Sequence, residues 1–129
     1  MAFLKYHLPV LVWLVILTIG TSLPGTTLPT SVLWGYDKWM HFGAYTVLSI
    51  LLWWSLIHLK SRRLRRWAPL IAILTCGVWG ALDEIHQVII PNRAPDIYDW
   101  LANLFGGMFG QGVVIGLKQL ISLSLLILK

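Results

Sequence analysis

Apolar residues gather along the chain into four long runs separated by short polar or turn-rich breaks, over about residues 7–23, 38–59, 67–90 and 99–118. Each run matches the ~20 residues a helix needs to cross a hydrocarbon core. Strands of a soluble domain alternate apolar and polar positions over a few residues, and nothing of that kind recurs here. The pattern predicts an all-α, polytopic membrane protein, a single domain over residues 1–129 built as a bundle of four transmembrane helices.

Local signals set the expected boundaries. The first run follows Lys5 and is longer than the apolar core of a secretory leader, so it is expected to be a retained signal-anchor helix. Pro24-Gly25-Thr26-Thr27-Leu28-Pro29 is a loop that cannot continue a helix. Asp37 and Asp99 are placed as N-caps of the second and fourth helices, where a carboxylate also suits the helix dipole. Pro69 falls in the first turn of the third helix, where proline is tolerated. A helix continued from Asp99 to Leu128 exceeds a membrane's thickness. The crossing is therefore expected to end near Lys118, with Gln119–Lys129 emerging or lying along the inner surface.

Composition agrees: 57% of the 129 residues are hydrophobic and only 12% charged, beyond the usual balance of a soluble domain. The net charge of +5 does not call for nucleic acid, because five of the ten basic residues sit in the block from Lys60 to Arg66 between two apolar runs. That block is a topology signal and an attraction for anionic lipid. With Lys5, Lys118 and Lys129 on the same side, the positive-inside rule places both termini in the cytoplasm of a multi-pass cell-membrane protein. Cys76 is a lone thiol in an apolar run and behaves as a small hydrophobe. The tryptophans Trp34, Trp39, Trp67 and Trp100, near the ends of runs, suit an interfacial belt.

Four of the five carboxylates lie between Asp83 and Asp99, on the side opposite the basic block and therefore outside. An ionisable group at the edge of a span is costly unless it is paired, hydrated or in use. Helical spacing puts Asp37, His41 and Tyr45 on one face of the second helix, and Asp83, Glu84 and Gln87 on one arc of the third, with His86 pointing away. Asp99, Asn103, Gly106 and Gly110 form a stripe on the fourth. At about 1.5 Å per residue these groups share one depth. The stripe of Gly106, Gly107 and Gly110 lets the fourth helix approach a neighbour closely.

Asp37-Lys38-Trp39-Met40-His41-Phe42 with Tyr45, followed by Asp83-Glu84, Gln87, Pro91, Arg93, Asp96, Asp99, Asn103, Gly106 and Gly110, resembles the VanZ-like family across three of the four helices. The resemblance implies a small bacterial membrane protein and, in some members, a link to low-level resistance to teicoplanin-type glycopeptides. It implies no settled reaction.

Within the cluster, His41 and Glu84 are the candidate acid/base residues. Arg93 suits a phosphate or carboxylate. Asp37, Tyr45, Gln87, Asp96, Asp99 and Asn103 complete a candidate substrate pocket. Structural alternatives stand beside these roles: Asp37 and Asp99 as simple N-caps, Arg93 as a loop counter-ion for Asp96 or Asp99, and Tyr45, Gln87 and Asn103 as interhelical hydrogen-bonding groups. No phosphate loop, nucleophile elbow or zinc helix is present, and no metal is assigned. Asp37, Glu84 and Asp96 with His41 are the set that would hold a hard divalent ion. The expected partners are membrane lipids or a lipid-linked envelope component. The cofactor is left unknown, as is the choice between an enzyme and a non-catalytic protein that alters antibiotic access.

Overall fold

The computed structural model describes residues 1–25 and 30–127, with side chains described outside residues 2 and 30–35. Among the described residues six α-helices follow one another: α1 (Ala2–Tyr6), α2 (Leu8–Thr21), α3 (Thr30–Ile57), α4 (Arg62–Arg66), α5 (Ala68–Gln87) and α6 (Ile97–Ile127). No strand occurs among the described residues. Three helical segments, Tyr36–Ile57, Ala68–Gln87 and Ile97–Ile127, are long and apolar enough to cross a membrane, while Leu8–Thr21 is apolar but shorter. The first predicted span corresponds to α2, and the short α1 before it ends at His7, ahead of Pro9 in the first turn of α2, because proline supplies no N–H to continue the preceding helix. Of the loop predicted from Pro24 to Pro29, residues 26–29 lie outside the described part.

Two expected caps are corrected. Helix α3 begins at Thr30, so Asp37 lies two turns inside it. Asp99 lies in the first turn of α6, and the cap is Asp96: its Oδ1 accepts the Tyr98 N–H at 2.8 Å, and its carbonyl accepts from Asp99 and Trp100. Nor does the last helix end near Lys118. The segment after it holds no Gly or Pro, so nothing stops the helix before Ile127. Lys118 instead lies over the Trp53 ring, 4.4 Å from its centroid.

Helices α3, α5 and α6 form the central packing unit, and glycines on α6 make it tight. A Cβ on Gly106 would overlap the Phe42 carbonyl oxygen, one on Gly110 would lie 2.7 Å from the Thr46 carbonyl oxygen, and one on Gly107 would lie 2.8 Å from Cys76 Cβ. Small residues therefore serve two neighbours at once, Gly106 and Gly110 against α3 and Gly107 against α5. Polar side chains tie the same contact. Ser49 Oγ donates to the Gly107 carbonyl at 2.7 Å, and Gln111 Nε2 donates to Ser49 Oγ at 2.7 Å.

Trp100 departs from the expected interfacial belt: its Nε1 donates to the Gly77 carbonyl at 2.9 Å and joins α6 to α5. Trp13 does the same between α2 and α3, donating to the Ala44 carbonyl at 2.9 Å. Trp39 and Trp67 are 69% and 49% exposed on the outside of the bundle, as a belt requires, while the side chain of Trp34 lies outside the described part. Because α3 and α5 are joined through α4, the basic segment Arg62–Arg66 lies at the end of the bundle opposite the Asp37, Gln87 and Asp96 end.

Candidate functional site

The polar cluster forms where the start of α3's apolar segment, the end of α5 and the start of α6 meet. Lys38 reaches from α3 to the α6 cap, with Nζ 2.8 Å from Asp96 Oδ2 and 2.9 Å from Asp99 Oδ1. The Lys38 ammonium, with the Tyr98 N–H, holds the Asp96 carboxyl below the usual carboxylate range. Asp99 is buried at 5% exposure, which makes its cation a structural necessity rather than a loose surface contact.

One turn along α3, His41 reaches α6 at a second point. Its Nδ1 lies 3.0 Å from Asn103 Oδ1, and its Nε2 lies 3.8 Å from Asp37 Oδ1. Asn103 is fully buried, and Gly80 on α5 makes room for it: a Cβ there would come within 2.9 Å of the Asn103 side chain. Asp37, His41 and Asp99 each bring a ligand-type atom to within 4.8 Å of the others. Of the residues named from the sequence for a hard divalent ion, Asp37 and His41 fall in this group together with Asp99, and Glu84 and Asp96 do not.

On α5, Asp83, Glu84 and Gln87 share a buried arc as their spacing requires. Tyr45 Oη donates to Asp83 Oδ2, joining α3 to α5 beneath the cluster. Glu84 Oε2 accepts the Asp96 N–H at 2.8 Å, and its Oε1 accepts from Gln87 Nε2 at 3.3 Å. Both carboxylate oxygens are thus engaged, and Glu84 positions the residue that caps α6. His86 does point away, toward α2, where its Nε2 lies 3.0 Å from Ser22 Oγ.

Arg93 is corrected as the counter-ion of the acidic stretch. It is not ion-paired with Asp96 or Asp99 among the described residues, and its Nε donates to the Leu23 carbonyl at 3.3 Å. Its loop docks on the end of α2, where Gly25 N–H also donates to the Pro91 carbonyl at 3.2 Å. Asn92, with φ of 59°, turns this loop in the left-handed region that Asn tolerates better than most residues.

Between α2 and α3 lies a pocket of about 270 Å³. Thr21, Asp37, His41, Tyr45, Gln87 and Arg93 are its polar lining residues, and Trp13, Ile16, Leu17, Met40 and Ala44 are among its apolar lining. Glu84, Asp96, Asp99 and Asn103 lie outside the lining and act on it through their neighbours.

Two residues were missed in the sequence. Lys38 sits in the motif at the start of the second helix without a spacing that marks its role, although four clustered carboxylates with one arginine call for a second cation at that depth. Gly80 carries no local signal, since its smallness matters only once Asn103 is placed opposite.

Residues 5–121 match the profile of the VanZ/LLP1 family. The uncharacterized protein C11E3.10 of Schizosaccharomyces pombe is 37% identical over 71 residues, which are 54% of this chain and 41% of that protein. The chain thus matches about two fifths of that relative's length. No solved structure gives a significant match.

Proposed function

The chain belongs to the VanZ/LLP1 family, and from that premise we propose that it is a multi-pass membrane protein binding the polar head of a lipid-linked envelope component in the pocket between α2 and α3. The observation that carries this reading is a mostly apolar pocket into which a few polar side chains, among them Asp37, His41, Gln87 and Arg93, also project. A volume of about 270 Å³ suits a head group rather than a whole lipid. Two of its lining residues, Ile16 and Met40, are 49% and 60% exposed on the outer surface of the bundle, so an acyl chain can stay in the bilayer while the head enters.

In this reading α1 and α2 together make a fourth crossing, both termini lie in the cytoplasm and the pocket opens near the outer face. Arg93 grips the phosphate or carboxylate of the head with its planar fork, and His41 reaches the ligand from the pocket lining. Glu84 acts by holding the α6 cap. The full engagement of its two oxygens favours a binding role for the cluster over chemistry at Glu84, so the second reading is a non-catalytic protein that alters antibiotic access by sequestering lipid. Reduced susceptibility to teicoplanin-type glycopeptides is the phenotype expected of either.

Native mass spectrometry of the protein released from membranes tests the pocket. Wild type is expected to carry a lipid adduct that Arg93→Ala loses and Arg93→Lys retains only weakly. Equal retention by all three rejects the head-group reading. Turnover of extracted lipid by wild type and not by His41→Ala selects an enzyme, and its absence selects the binding protein.

A further inference from the structure

The groups at the inner edge of the pocket are arranged as a ligand set. Asn103 Oδ1 is a carbonyl oxygen and only accepts, so the His41 Nδ1 facing it at 3.0 Å carries the ring proton. That leaves a lone pair on Nε2, which has no hydrogen-bond partner among the described residues although the imidazole side chain is only 10% exposed. Nε2 lies 3.8 Å from Asp37 Oδ1, and one ligand-type atom from each of Asp37, His41 and Asp99 lies within 4.8 Å of the others. Two carboxylates and an imidazole nitrogen are thus gathered at one point, with His41 10% and Asp37 30% exposed, an arrangement that a cation relieves. Lys38 relieves it in part, engaging Asp99 through Oδ1 and spending its other contact on Asp96.

We infer that Asp37, His41 Nε2 and Asp99 form a binding site for a divalent transition-metal ion of the zinc and manganese class. One imidazole nitrogen and two carboxylate oxygens suit these ions better than calcium, which takes oxygen ligands, and bonds of about 2.0–2.2 Å need only a modest inward movement of the side chains. Asn103 is the positioning residue: its bond to Nδ1 fixes the tautomer and aims Nε2, the arrangement that metal-bound histidines normally require. Asp37 and His41 also line the pocket, so a ligand in it would lie beside two of the three side chains of the site. The cation site does not depend on the lipid reading, because its ligands are all protein side chains.

The test uses the full-length chain in lipid nanodiscs with Mn2+ alone. Titration followed by electron paramagnetic resonance is expected to show one saturable site, and pulsed measurement should show coupling to a histidine 14N nucleus. His41→Ala should abolish that coupling, and Asp37→Asn should weaken binding at least about 10-fold, with Asn103→Ala weakening it by about 10–100-fold. Lys38→Met should tighten binding, since it removes the competing cation; a purely structural cluster predicts no such gain. Absence of saturable binding, or of nitrogen coupling in the wild-type protein, overturns the site without needing any variant to fold. Unchanged affinity in a folded Asp37→Asn also overturns it. Because no lipid ligand is added, failure here leaves the lipid adduct result untouched, and the reverse holds as well.

Discussion

Lys38 Nζ lies 2.9 Å from Asp99 Oδ1, so the cation that serves the acidic cluster comes from α3 and not from the loop in which the carboxylates are concentrated. Asp99 is 5% exposed, whereas the Lys38 side chain is 51% exposed. The pair is lopsided, and the loss of Lys38 leaves a buried carboxylate without its partner. Lys38→Met is expected to cost about 1–3 kcal/mol, the penalty for an unsatisfied buried polar group. A double-mutant cycle with Asp99→Asn, read from thermal unfolding in one detergent, should recover part of that loss. Additive losses would show that the two residues do not interact.

Asp96 makes the stability of this end of the bundle depend on pH. Its carboxyl is held below the ordinary range by the Lys38 ammonium and the Tyr98 N–H. A group whose pKa is lowered in the folded state stabilises that state above its unfolded value, near about 4, and the contribution disappears as pH falls through the folded value. Asp96→Asn keeps a side chain that caps helices well and removes the charge. Thermal midpoints of wild type and Asp96→Asn are therefore expected to differ at neutral pH and to converge only in acid below about pH 4. The difference should be modest because the Asp96 side chain is 37% exposed. A gap that persists unchanged in strong acid would point to a cause other than the charge.

Glycines on α6 are not equivalent. Gly106 has the Phe42 carbonyl where a Cβ would go, whereas Gly112 has nothing within 4 Å. Backbone cannot swing aside as a side chain can, so Gly106→Ala must push α3 and α6 apart, at about 1–3 kcal/mol. Gly112→Ala should be neutral or stabilising by about 0.5–1 kcal/mol, since alanine loses less backbone freedom in a helix. Resistance to unfolding in a detergent series, compared at equal expression, decides this. Equal behaviour of the two variants would mean that the α3 and α6 backbones are not in close contact.

Orientation is open to a direct test. Cysteines introduced at Ser61, the cap of α4, and at Ile89, 75% exposed at the far end, should react with a membrane-impermeant maleimide from opposite sides. The native Cys76 is fully buried and adds little background. Ile89→Cys is expected to label on intact cells and Ser61→Cys only after lysis. Labelling of both on intact cells would overturn the assignment of the basic segment to the cytoplasm.

The apolar runs, the faces at i, i+3 and i+4, and the glycine stripe were all legible without coordinates, because a helix's period is local and a membrane's thickness limits its length. Asp37, His41 and Tyr45 could be assigned to one face, and Asp99, Asn103, Gly106 and Gly110 to another, by counting alone. Helix ends were less secure: Asp37 and Asp99 are good caps by type, and the chain passes through both because Asp96 caps α6 earlier and α3 is already helical from Thr30. Partners between elements were beyond reach. Whether Arg93 or Lys38 neutralises Asp99, and whether Glu84 faces a ligand or an N–H of the next loop, depends on the rotation and offset of packed helices. Those are set by contacts such as Gly106 against Phe42 and Gly80 against Asn103, between residues far apart in the chain, and no spacing within one helix encodes them.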